Sequence, residues 1–139
     1  MNLEIKDRFS GMLKIEWPSL DALLATEEVQ SGIHSVPIGE FAGKQINYDF
    51  FLTARHGTTL LCHFHAATPR DRIDLPIFAG LGITGSIATS MFVPSDPVLV
   101  LDASLNLAWH FGCEGIRLQA ITISIVKKLQ SILHAPRVV

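Results

Sequence analysis

The chain has 139 residues, a formal net charge of -2 at pH 7 and scattered lysine and arginine, which suits one domain with its own core and excludes the basic face of a nucleic-acid binder. Hydrophobic residues make up 48% and charged residues only 17%, where about a quarter charged is usual. That surplus predicts a surface covered by self-association or by polypeptide outside these residues.

In chain order, MLKIEW (Met12 to Trp17) alternates apolar and polar and predicts a strand ended by Pro18. Ser19 or Asp21 can cap a helix over Leu20 to Gln30. Residues 32–45 hold glycines and a proline, which predict turns with a short strand at Ile33 to Val36. Ile46 to Thr53 and Thr58 to His65 read as two strands, joined as a hairpin by Arg55-His56-Gly57. A charged loop follows over Pro69 to Asp74, then a glycine-broken, weakly helical segment over Leu75 to Ala88. Ser90 to Val93 is a short buried strand stopped by Pro94 and Pro97. Asp102 or Ser104 can cap a helical turn over Leu105 to Phe111, which Gly112 and Gly115 end.

The strongest signal spans Ile116 to His134. Leu118, Ile121, Ile125, Leu129 and Ile132 recur at spacings of three and four, the stripe of a helix lying on a sheet. Pro136 ends it, and Arg137-Val138-Val139 reads as the start of another strand. Strands feeding helices in this order predict an α/β class: a mixed sheet with antiparallel N-terminal strands and parallel later strands, flanked by helices and incomplete at its last strand.

Cys62 and Cys113 form no C-x-x-C pair and no zinc spacing, so both read as reduced thiols. The local cation pairs, Lys127-Lys128 and Arg70 with Arg72, read as solvated surface. Charges at Glu4, Lys6, Asp7 and Arg8 interrupt any signal-peptide apolar segment. No stretch approaches the roughly 18 apolar residues of a membrane helix. A cytoplasmic protein without a membrane span is expected.

The chemistry centres on HFHAATPRDR, His63 to Arg72. Residues i and i+2 of a strand share a face, so His63 and His65 could bind one ion. Gly57, five residues and His-x-His form part of a cupin pattern, but no glutamate follows at the required point. A metallo-β-lactamase-like His-x-His-x-Asp-His fails at Ala67. Two ligands are too few for a metal site, so no metal and no cofactor is expected; His63 and His65 remain the metal alternative.

From Thr58 onward the order of phrases is distinctive: a strand ending His-Ala-Ala, a charged loop, LPIFAG, SMFVPSDPVLVL, LNLAWHFG, a long amphipathic helix and PRVV. This order resembles the front half of an α/β-hydrolase fold. More narrowly, it is similar to a bacterial branch that includes the acyltransferase-like component of accessory secretion systems. The resemblance covers about 80 of the 139 residues. It implies that His65, Ala66 and Ala67 occupy an oxyanion loop, whose backbone N–H groups face charge developing on a carbonyl oxygen. It departs from the pattern where Ala66 replaces glycine, which restricts φ, and where Ala108-Trp109-His110 varies Gly-Trp-Tyr. Asp96, at the carboxyl end of the next strand, is the ligand-side candidate; as a bare residue beside Pro97 it reads as a turn cap.

The nucleophile of such a protein lies on G-x-S-x-G after the strand that Val138-Val139 would begin, with the acid and the base histidine later still. No G-x-S-x-G exists in this chain, so no catalytic set is complete. The chain is therefore expected to be the N-terminal part of a serine hydrolase or acyltransferase-like protein, inactive alone, with an acyl or other small-molecule substrate. The alternatives are a small cupin-like metal protein using His63 and His65, and a non-catalytic homo-oligomeric interaction domain.

Overall fold

The computed structural model describes residues 9–139, so Glu4, Lys6, Asp7 and Arg8 of the N-terminal reading lie outside the described residues. Strand β1 (Lys14–Glu16) occupies the middle of the alternating stretch and stops short of Pro18. Ser19 caps α1 (Leu20–Ala25), its Oγ accepting from the Ala22 N–H at 3.0 Å. This helix stops at Ala25 instead of continuing to Gln30. Thr26 turns to extended backbone and its Oγ1 donates to the Glu28 carbonyl at 3.0 Å, a local bond that competes with the helix ladder.

The region expected to be turns is a ten-residue strand, β2 (Gly32–Phe41). Its breakers are absorbed rather than obeyed: the register with β3 (Lys44–Thr53) shifts between Pro37 and Gly39, a bulge that tolerates both. Ala42 and Gly43 close this hairpin at φ 51° and 75°, the positive values a tight two-residue turn requires.

The expected pairing of β3 with the following strand is also corrected. β5 (Ser90–Pro94) lies between β3 and β4 (Thr59–Cys62), and the sheet order is β1-β2-β3-β5-β4-β8. All five β5 residues are buried, and a strand apolar on both faces belongs in the middle of a sheet. β5 is antiparallel to β3 and parallel to β4, while β8 (Arg137–Val138) runs parallel to β4 on its other side. The α/β class with parallel later strands is thus present, although β1 also pairs parallel with β2.

Helix α2 (Leu118–Leu133) fits the expected stripe, beginning two residues later because Ile116–Arg117 (β7) pairs with Gly112–Cys113 (β6). A Cβ at Gly112, where φ is +93°, would strike the Ile116 carbonyl and the Leu118 side chain, so only glycine lets this small hairpin close. Leu118, Ile125 and Leu129 are buried against Val36, Tyr48, Phe50, Phe92 and Leu60. His134 ends the helix at φ 51°, and the Ala135 N–H returns to the Gln130 carbonyl at 3.0 Å.

On the opposite face Phe9, Ile33, Phe51, Phe78, Met91 and Val93 form a second core. The weak helix expected over 75–88 is a 3-10 turn, Leu81–Ser86. The expected helical turn at 105–111 is absent. A 3-10 turn forms earlier, at Pro97–Leu101, with Asp96 as its cap. Asp102 instead accepts from the backbone N–H and hydroxyl of Ser104 at 2.8 and 2.7 Å, and these bonds hold its carboxyl below the usual range. Among the described residues, no helix is long and apolar enough to cross a membrane.

Candidate functional site

The two long connections leave the parallel strands on opposite faces. The segment after β4 covers the Phe51–Met91–Val93 face through Phe78, Leu81 and Ile87. The segment after β5 leads to α2, on the Phe50–Phe92 face. Neighbouring strands whose connections diverge leave a crevice at their carboxyl ends, the usual ligand position of an open α/β sheet.

His65 and Asp96 meet in that crevice. The Asp96 N–H donates to His65 Nε2 at 3.0 Å, so the other ring nitrogen, Nδ1, carries the proton and donates to the Ala66 carbonyl at 2.9 Å. Asp96 is 1% exposed and uses both carboxylate oxygens: Oδ1 accepts from the Val98 N–H at 3.1 Å and Oδ2 from the His110 N–H at 2.8 Å. Asp96 therefore caps a turn and also ties the loop carrying His110 to the end of β5.

Arg70, which the sequence places on solvated surface, instead binds the carbonyls of Leu99 and Leu105 at 2.9 and 2.7 Å, with the Asp102 carbonyl at 3.4 Å. Thr68 N–H donates to the Asn106 carbonyl at 3.1 Å. These bonds join the loop after β4 to the segment leading to Trp109. Arg72 does lie at the surface, beside Asp71.

Between these joined loops and the first turns of α2 lies a cavity of about 690 Å³, within the size range of small-molecule sites. Phe64, Leu107, Trp109 and Ile123 supply its apolar wall; His65, Ala66, Ala67, His110, Gln119 and Thr122 complete it. Thr122 Oγ1 lies 2.9 Å from the hydroxyl of buried Tyr48, which burial holds protonated well above the ordinary phenol value. Ala66 and Ala67 both have negative φ, so the alanine-for-glycine departure needs no left-handed backbone here. Their N–H groups bond to no acceptor among the described residues.

The left-handed residues are across the cavity. Trp109 and His110 adopt φ 59° and 54° in succession, a conformation that costs non-glycine residues energy and marks sites where the surroundings enforce it. The His110 ring packs edge-on against Phe64 and His65, with centroids 5.1 and 4.8 Å away. Its Nε2 is buried without a partner. Burial lowers the His110 pKa; Asp96 opposes that, the His65 ring adds to it, and the His65 carbonyl opposes it again. The ring is thus neutral near pH 7.

Comparison with protein-family models, curated proteins and solved structures finds no match to this chain.

The crevice brings His65, Ala66, Ala67 and Asp96 together, although Asp96 acts on the loops and not as an open ligand group. His63 is elsewhere: its ring abuts Gly80, where an added Cβ would lie 2.5 Å from Nδ1. A shared ion would require His65 to release the Asp96 N–H. No group of three or more His, Cys, Asp or Glu among the described residues is placed to hold a metal ion. Both cysteines are free; burial pushes the Cys62 thiol up to about 11, far from a reactive thiolate. Sequence reasoning passes over His110 and Thr122. The signal for His110 is a histidine between two aromatic residues directly before a glycine.

Proposed function

We propose that this chain is the N-terminal part of a serine hydrolase or acyltransferase-like α/β protein, contributing the oxyanion-type loop and the apolar substrate cavity and inactive by itself. The observation that carries this reading is the cavity mouth at the carboxyl end of β4, where the Ala66 and Ala67 N–H groups have no acceptor in the described chain. Backbone donors beside an apolar cavity suit a substrate carbonyl that gains negative charge during acyl transfer. The sheet order supports the same reading. β4 is flanked by β5 and β8, so a strand-to-helix turn following β8 would open beside this loop.

His65 does not serve as the base in this reading, because its lone pair is held by Asp96. No serine in the chain stands on a G-x-S-x-G turn. A nucleophile and its base would come from polypeptide following β8. The test is chemical labelling with an alkyl fluorophosphonate. The 139-residue chain should remain unlabelled, and a chain extended by the coding sequence beyond Val139 should label on a G-x-S-x-G serine. Coding sequence without such a turn after β8 overturns the reading.

A second reading, self-association, is favoured by the open edge of the sheet. Among the described residues β8 bonds to β4 on one side only, and Val138 and Val139 are exposed beside it. Unpaired edges are templates for association. Sedimentation of a sample at high concentration should then show a dimer; a clean monomer ends this reading.

A further inference from the structure

We propose that His110 is the polar anchor of the cavity, its Nε2 hydrogen-bonding to a hydroxyl group on an otherwise apolar, uncharged ligand. This deepens the proposed function, since it rests on the cavity being a ligand site.

The imidazole and carboxylate groups beside it are already committed. Both ring nitrogens of His65 and both carboxylate oxygens of Asp96 have partners within the chain. His110 Nε2 is the buried side-chain atom without one among the described residues, and an unpaired buried polar atom is costly unless something else satisfies it. Trp109 and His110 form a left-handed backbone pair on the cavity wall, with Asp96 Oδ2 fastening the His110 N–H. Strain enforced next to a cavity points to function rather than to packing.

The rest of the wall sets the ligand's character. It contains no lysine, arginine, aspartate or glutamate, so an ionised ligand would lose its hydration without a counter-charge. A hydroxyl suits a neutral imidazole nitrogen in either tautomer, because it can both donate and accept. Phe64, Leu107, Trp109 and Ile123 would cover the apolar remainder.

Equilibrium dialysis with 2-naphthol and its near-isostere 2-methylnaphthalene tests this. In the wild-type chain the ratio of the two affinities should favour 2-naphthol about tenfold more than it does in His110→Phe. His110→Gln, which retains a hydrogen-bonding side chain, should recover part of that preference. An unchanged ratio in His110→Phe overturns the role of His110 while leaving the cavity as a ligand site. Failure of both probes to bind the wild-type chain overturns the cavity reading as well. If His110→Phe does not fold, the His110 ring nitrogen resonances of the labelled wild-type chain decide. They should move with 2-naphthol and not with 2-methylnaphthalene; equal responses overturn the proposal.

Discussion

His34, on β2, is fully buried, takes the Trp17 indole N–H at Nδ1 (3.0 Å) and gives its Nε2 proton to the Gln30 carbonyl (2.8 Å), while its ring stacks on Phe50 at 4.7 Å. His110 lies between Phe64 and His65 with Nε2 unpartnered and its backbone left-handed. The chain can therefore satisfy a buried imidazole completely, and does so where the ring belongs to the core. Among the described residues the loose end occurs where a cavity begins. Packing without strain at one region and strain without complete pairing at the other is the distinction expected between scaffold and site.

The largest break falls on the scaffold. Phe50 is fully buried among His34, Tyr48 and Phe92, and Phe50→Ala should cost about 3–5 kcal/mol by urea unfolding. Probe affinity per folded molecule should stay unchanged. A variant that loses affinity without losing stability would erase the contrast between the two regions.

That contrast was only half legible in sequence. Helix α2 announces itself because Leu118, Ile125 and Leu129 are both periodic and buried. β2 is hidden because Gly32, Pro37 and Gly39 read as breakers, and whether a bulge absorbs them depends on the partner strand. The insertion of β5 between β3 and β4 is a non-local choice that adjacency in the chain argues against. His65 and Asp96 are recognisable singly, but their bond joins residues 31 apart. His110 is visible only as a departure from a phrase, since its open nitrogen is a property of three-dimensional surroundings.

A smaller effect is expected at Asp96, which joins the two regions. Asp96→Ala removes the acceptors of the Val98 and His110 N–H groups, and two unsatisfied donors should cost about 2–3 kcal/mol. Probe binding should fall together with stability, unlike Phe50→Ala, because the His110 loop loses its fastening. Asp96→Asn retains one acceptor oxygen and should cost roughly half as much. Equal losses for both variants would show that charge, rather than these two bonds, is what matters.

Acid should weaken the scaffold through His34. Burial lowers its pKa below 6.5, more than the Gln30 carbonyl raises it. The folded chain therefore binds fewer protons than the unfolded chain between that depressed value and 6.5, and the stabilisation, complete above 6.5, is lost as pH falls through this window. His110, lowered chiefly by burial, adds with the same sign. Asp49 acts oppositely at lower pH: burial raises its carboxyl above 3.8, with the Ser35 bond opposing, so its contribution is lost as pH rises. The unfolding free energy from urea titrations should therefore be lower at pH 5 than at pH 7. His110→Phe should flatten the slope only in part, leaving the share due to His34.

The smallest change in stability should come from Trp109→Gly. Trp109 is 70% exposed, so its removal forfeits little burial, and glycine adopts φ near 59° without a Cβ penalty. Relief of roughly 1 kcal/mol of strain is offset by the greater backbone entropy of glycine in the unfolded chain. The net change should stay within about 1 kcal/mol. Binding of both naphthalene probes should nevertheless weaken, because the wall between Leu107 and His110 loses its largest apolar face. A Trp109→Gly chain that unfolds easily would move Trp109 to the scaffold side of the comparison. One that binds both probes as before would show that the Trp109 side chain is no part of the cavity's binding wall.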